Sequence, residues 1–306
     1  MSIRLANGEL ASSIKAGSTT IKRVYREGTN VWGDWNPKIL TDLFIWLDAA
    51  DTSSSSISTT SSAGRVSTWH DKSGNSRDFS TGGGTNWNIG ISDSQPYTGS
   101  RTLNGYNVID FQGAEHLRSD QTIGTSTLCV FQAGVMDSFT GNYSTALSFG
   151  NASNDRADLH GYSTNKFYAR LTPDLANNNM FLDNTTAISP GDSYFHSLHI
   201  DATGNSIEYF KDGTSYGTVQ HLDTSRLNTN NRIILYNYRQ IQLTNTSSIG
   251  FRNNGAMDGC LGEVIVTDAT VSTADRQKIE GYLAHKWDMA DNLPSDHPYK
   301  TLWPTT

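Results

Sequence analysis

From about residue 40 onward, short apolar runs alternate with turns rich in Gly, Asn, Ser and Thr. Such runs, bounded by such turns, are strand signals. They predict strands at 43–48, 66–70, 107–111, 127–135, 145–149, 166–171, 195–201, 206–211, 232–238, 248–252 and 260–267. An Asp212-Gly213 turn then leads out toward 216–219, a hairpin signal. One segment keeps a different period. Ile279, Leu283 and Trp287 fall at i, i+4 and i+8, which predicts an amphipathic helix from Thr273 to about Met289. Ser272 stands at its N-cap and Asp275 at N3, a shortened capping box, and Leu293-Pro294 and His297-Pro298 stop the helix. Many short strands with one late helix favour an all-β fold, an antiparallel β-sandwich with one packed C-terminal helix, over βαβ units. Trp46, Trp69 and Trp287 sit inside element patterns and are assigned to the core. The Ser/Thr tract 51–62 and the Gly-rich stretch 81–90 read as long loops, and 177–179 and 228–231 as loop tips.

Residues 1–36 differ from the rest. Gly17-Ser18-Thr19-Thr20-Ile21 is echoed by Gly28-Thr29-Asn30-Val31, with a strand expected between them at 21–26. The expected form is a small hairpin or three-stranded meander, too small to bury a core of its own. Trp35-Asn36-Pro37 reads as the junction to a second domain, 37–306.

Composition narrows the function. The chain has 306 residues, enough for one large sandwich, and charged residues make up only 17%. Its net charge of −7, with no basic run interleaved with aromatics, argues against nucleic acid as a partner. Met1-Ser2-Ile3-Arg4-Leu5 has no apolar core of a secretory signal, and no apolar run is long enough to span a membrane. Folding in a reducing cytoplasm is therefore expected. Cys129 and Cys260 lie in apolar strand patterns, as buried thiols or, alternatively, as a disulfide.

Several segments carry a family resemblance. Leu261-Gly262-Glu263-Val264-Ile265-Val266, Val271-Ser272 with Asp275-Arg276-Gln277, Glu280 to Trp287, and Leu293-Pro294 with His297-Pro298-Tyr299 resemble the closing strand and helix of a concanavalin A-like domain of the laminin-G type. Phe44-Ile45-Trp46-Leu47-Asp48-Ala49 with Asp51, and Val66 to Asn75, agree with that pattern. The resemblance spans roughly 40 to 300 and implies a jelly-roll sandwich. It implies little about activity, because that fold hosts lectins, hydrolases and inert adhesion modules. Within the first 36 residues, the segment from Gly17-Ser18-Thr19 through Val24-Tyr25 and Gly28-Thr29 to Val31-Trp32 resembles short modules at the start of bacteriophage tail and virion proteins.

A retaining glycosidase needs two carboxyls about 5–5.5 Å apart. On one strand that means acids at i and i+2 or i+4, and Glu263 has none there; Glu115 and Asp120 are five apart. Glu263 matches an acidic position of the laminin-G type and reads as structural. No Gly-x-Ser-x-Gly elbow is present, and Cys129 has no evident base. His196 and His199 face opposite sides of one strand, and His285 reads as a surface or helix-end residue. No catalytic set emerges, and the chain reads as non-enzymatic.

Two binding chemistries remain. The resemblance implies that Ca²⁺ could sit at a loop rim on Asp48, Asp51, Asp71 and Asn75; an Asx-stabilised turn without an ion is the alternative. Glycans would be held by exposed aromatics, for which Trp87, Tyr97, Tyr106, Tyr162, Tyr236 and Tyr238 are the candidates. The expected function is that of a phage virion surface protein, a capsid knob, fibre or tail appendage, possessing a lectin-like sandwich and docking on other virion proteins through residues 1–36. A bacterial adhesion or carbohydrate-binding module is the alternative, and a polysaccharide hydrolase the third reading.

Overall fold

The structure is a computed structural model. It describes residues 35–60, 64–80, 95–112, 115, 117, 119, 127–138, 189–201, 206–217 and 258–305 in full. It gives backbone strands alone at 14–16, 19–21, 24–26, 29–32, 118, 143–150, 156–162, 166–172, 180–183, 218–220, 241–242 and 254–255. The strands expected at 232–238 and 248–252, and the loops expected at 81–90, 177–179 and 228–231, lie outside the described residues.

The closing strand, Asp258–Thr267, organises the molecule. On one side it pairs with the long strand Leu128–Ser138. On the other it pairs end to end with two short strands, Ile109–Gln112 and Leu43–Asp48. Ser193–Asp201, Ser206–Lys211 and Thr214–Gln220 continue outward from Leu128–Ser138 to complete a seven-stranded antiparallel sheet. A second sheet holds Ile57–Thr59, Val66–Trp69, Phe79–Ser80, Arg118–Ser119 and Ile241–Gln242; a third holds Tyr143–Gly150 to Met180–Asp183 with Asn254–Gly255. The fold is the expected antiparallel sandwich with one packed helix.

Two apolar layers flank the first sheet. Ile45, Leu47, Val130, Leu198 and Val266 meet Ile57, Val66, Trp69 and Phe79 of the second sheet. On the opposite face Trp46, Phe131, Phe195 and Ile265 meet Ile279, Leu283 and Trp287 of the helix. All three core tryptophans are thus buried. The alternation along the closing strand changes parity at Gly262, where its pairing with Ala133 and Gly134 slips by one residue. Cys260 and Glu263 therefore share the helix face although they are three residues apart, as an inserted residue in a strand dictates.

The helix runs Thr273–Lys286, shorter than expected. Ser272 Oγ accepts the Asp275 amide, as expected of its N-cap. At the other end Asp288 enters the left-handed region (φ 54), Met289 N–H reaches Ala284 O, and Asp288 N–H reaches His285 O. That Schellman closure ends the helix before the first proline is reached.

Two expectations are corrected. The Ser/Thr tract contains a strand, Ile57–Thr59, because Ile57 aligns with Trp69 and both point into the core. The single strand expected at 21–26 is broken into two hairpins, Ile14–Ala16 with Thr19–Ile21 and Val24–Arg26 with Thr29–Trp32. Neither hairpin pairs with any other described strand.

Cys129 and Cys260 are both buried and free. They align with Thr267 and Val135 respectively, so several residues of strand, at about 3.3 Å each, separate them. Burial pushes their thiols up to about 11 and about 12.

Candidate functional site

Where strands Leu43–Asp48 and Asp258–Thr267 pass under the helix, five charged groups converge. Asp48 and Glu263 are direct register partners. Lys286, on the last turn of the helix, places its ammonium 2.7 Å from Asp48 Oδ1 and 2.8 Å from Glu263 Oε2, and donates to Tyr282 Oη at 3.0 Å. Glu263 also accepts from Trp46 Nε1 (2.6 Å), Tyr282 Oη (2.8 Å) and Trp287 Nε1 (2.8 Å). Lys72 bridges Asp48 Oδ2 and Asp51 Oδ2, at 2.9 Å each. Burial pushes the Glu263 carboxyl up, against the pull of Lys286. Burial acts the same way on Asp48, but Lys286 and Lys72 together outweigh it and the net displacement is downward. Burial would likewise lower Lys286, and the two acids reverse that. A cross-strand acid thus stands beside Glu263 after all. Both carboxylates are nevertheless sealed under the helix, with 0% of Glu263 and 6% of Asp48 exposed.

The four residues considered for calcium lie along this edge. Asp48 and Asp51 hold Lys72, and Asp51 also accepts from Ser53 N–H and Ser56 Oγ. Asp71 accepts the Trp46, Ser73 and Arg77 amides and the Ser73 hydroxyl. Asn75 uses its side-chain amide as a donor, to Leu43 O and Phe44 O. This is the hydrogen bonding of an Asx-stabilised turn. Among the described residues no cluster of three or more His, Cys, Asp or Glu has the arrangement of a metal site.

Of the aromatic candidates, Trp87, Tyr236 and Tyr238 lie outside the described residues, and Tyr162 is described only as strand backbone. Tyr106 packs edge-on against Trp287 at 5.6 Å, a packing role. Tyr97 is placed differently. It bridges Arg65, which leads into the second sheet, and Asp110 of the first, so it lies where the two sheet edges meet. The Arg65 guanidinium lies 4.6 Å from its ring centre, and Arg65 also donates to Gln95 O. Nearby Arg101 spans Asp110 and Asp137 and fixes the loop that carries this rim. Arg65, Gln95 and Tyr97 are all half-buried.

The histidines divide as their spacing requires. His196 lies inside the sandwich between Tyr194 and Tyr209, with Gln132 Oε1 2.8 Å from its Nε2. His199 lies on the other face, against Phe131 and Phe210. His285 is a buried helix-end contact to Tyr299 O at 2.8 Å.

One constellation escaped the sequence reading. Ser58 Oγ is 2.8 Å from His70 Nε2, and His70 Nδ1 is 2.8 Å from Asp78 Oδ2. Ser58 aligns with Thr68 across the strand pair, and His70 follows two residues later on the same face. Asp78 Oδ1 accepts the Asp71 amide at 2.9 Å, which fixes its orientation. These residues form no Gly-x-Ser-x-Gly elbow: Ser58 lies on a strand, and His70 and Asp78 stand at the two ends of one loop, 70–78. A strand assigned to 57–59 would have exposed the pairing.

No protein-family model matches the chain, and no curated protein matches it by sequence. Solved structures do. The Trypanosoma rangeli sialidase is 12% identical with a TM-score of 0.54, over 87% of this chain and 36% of that one. The Ruminococcus gnavus IT-sialidase CBM40, solved with α2,3-sialyllactose, is 14% identical (TM-score 0.45), over 55% of this chain and 92% of that one. The SAP-like pentraxin of Limulus polyphemus is 17% identical (TM-score 0.39), over 56% and 80%. At these identities the likeness is one of fold, the concanavalin A-like jelly-roll sandwich.

Proposed function

We propose that the chain is a lectin-like surface protein of a bacteriophage particle, a capsid decoration, fibre or tail appendage assembled in the host cytoplasm. In this reading the sandwich binds host or environmental glycans, and residues 1–36 dock on other virion proteins. The observation that carries glycan binding is the rim where Tyr97, half-exposed and stacked with Arg65, stands beside Gln95. A sugar ring presents C–H groups to an aromatic face and hydroxyls to surrounding amides and guanidinium groups. Docking is supported by the two hairpins of the first 36 residues, since an isolated two-stranded hairpin is marginal in water and gains by leaning on a partner. Binding is favoured over glycosidic cleavage because Asp48 and Glu263, the carboxylates paired across neighbouring strands among the described residues, are buried and held by Lys286.

Glycan-array binding of the whole chain, compared with Tyr97→Ala, tests the rim. Loss of about tenfold or more in affinity with an unchanged melting temperature is expected, and undiminished binding would refute the assignment. Deleting 1–36 should abolish incorporation into particles; glycan binding with no particle association would favour a bacterial adhesion module.

A further inference from the structure

We propose that Ser58, His70 and Asp78 form a serine-nucleophile site that hydrolyses carboxylic esters. The inference rests on a hydrogen-bond chain whose polarity is determined by its ends. An ionised Asp78 can only accept, so His70 Nδ1 must donate to it across 2.8 Å. In the neutral imidazole Nε2 then carries the lone pair, and the Ser58 hydroxyl donates to it across 2.8 Å, with Ser54 O, at 3.5 Å, as its more distant acceptor. That is the orientation a general base needs to activate a serine. Asp78 is itself held by the Asp71 amide, and the His70 amide donates to Ser56 O, so the base is tied at ring and backbone.

Access is also in place. Ile57, Trp69 and Phe79 fill the core face of the second sheet, which puts Ser58 and His70 on its outer face. The His70 side chain is 28% exposed and Asp78 41%. Ile57–Thr59 is an edge strand of its sheet, so among the described residues no strand blocks one side of Ser58.

The chemistry balances without a cofactor. Ser58 Oγ forms a bond to the ester carbonyl carbon while its proton passes to His70 Nε2. The tetrahedral adduct expels the alkoxide, which leaves as the alcohol after taking that proton. Water then repeats the sequence on the acyl-serine, releasing the acid and restoring Ser58. The proposal is independent of the glycan rim, because it uses Ser58, His70 and Asp78 whereas the rim uses Arg65, Gln95 and Tyr97, and either can fail alone.

Activated reagents are the right probes for an open site with little to stabilise a poor leaving group. The whole chain is treated with a fluorophosphonate and digested for mass spectrometry, and separately assayed with p-nitrophenyl acetate. An adduct on Ser58, with Ser67 and Ser73 unlabelled, is expected. Ester hydrolysis should disappear in Ser58→Ala. Both labelling and hydrolysis should fall about 100-fold or more in His70→Gln, the usual worth of a general base. Thr68→Ala, on the same face, should change neither. Absence of a Ser58 adduct on the unaltered chain overturns the proposal, a result that depends on no variant folding. So does labelling of Ser58 at an equal rate in a folded His70→Gln protein.

Discussion

Asp48 and Glu263 stand directly opposite each other on neighbouring strands, two carboxylates buried side by side beneath the helix. Their repulsion is answered by the ammonium of Lys286, which lies within 2.8 Å of both, and by that of Lys72, 2.9 Å from Asp48. The cluster therefore joins the first strand of the sandwich, its last strand and its helix through a single side chain.

Removing that cation should unfold much of what it joins. Lys286→Met keeps the aliphatic stem but leaves Glu263 without its cation and Asp48 with Lys72 alone, and breaking a buried ion pair from one side costs about 3–5 kcal/mol. Urea unfolding should show a loss of that order. Adding Glu263→Gln removes the stranded charge, so the double variant should lose less than the sum of the two single changes. Strict additivity would mean that the two groups do not interact energetically.

Gly262 offers a purely steric test. A Cβ there would fall 2.6–2.7 Å from three atoms of the Trp287 indole, whose Nε1 is committed to Glu263. Gly262→Ala must move either the ring or the strand slip, and overpacking of this kind costs about 1–3 kcal/mol. The melting temperature should fall, and the environment of Trp287 should change in fluorescence. A variant as stable as the parent would show that the helix can shift without cost.

The same region shows what was readable in the chain. The helix, its Ser272 cap and the buried Ile279, Leu283 and Trp287 were legible because they depend on local spacing. The pairing of Glu263 with Asp48 was not, since register across strands more than two hundred residues apart leaves no local trace. Ser58 was hidden for a related reason. Serine and threonine dominate the tract around it, so one core-facing isoleucine, Ile57, was the sole sign of a strand. Of the proposed aromatic rim, exposure could not be read from residue type. Tyr97 and Tyr106 look alike in sequence, yet one stands at the sheet edges beneath Arg65 and the other packs on Trp287.

Calcium should do little to this protein. The aspartate oxygens considered for it already accept from Lys72 or from backbone amides, so an ion at Asp48 and Asp51 would have to displace an ammonium held at 2.9 Å by two carboxylates. Millimolar Ca²⁺ and an excess of chelator should therefore give the same melting temperature. A rise of several degrees with Ca²⁺ would mean that the ion binds the folded state and exchanges with Lys72.

Acid should weaken the fold before Asp48 and Asp51 protonate, because of His196. Burial, with Lys211 adding to it, lowers its imidazole to about 3, whereas an unfolded histidine titrates near 6.5. Between those values the unfolded chain binds a proton that the folded chain refuses, so stability falls as pH falls from about 6.5 toward 3. At about 1.4 kcal/mol per pH unit, His196 alone removes about 2 kcal/mol by pH 5. His199, lowered to about 3 by burial and by Arg276, and His285, lowered to about 4 chiefly by burial, act in the same direction. Asp48 and Asp51, held below the usual carboxylate range by their lysines despite burial, contribute stability that is lost only at more acid pH. Urea midpoints should thus decline between pH 7 and pH 5. In His196→Gln the difference between the two pH values should shrink by about 2 kcal/mol, whatever the variant's absolute stability. An unchanged difference would show that the imidazole takes its proton inside the folded sandwich.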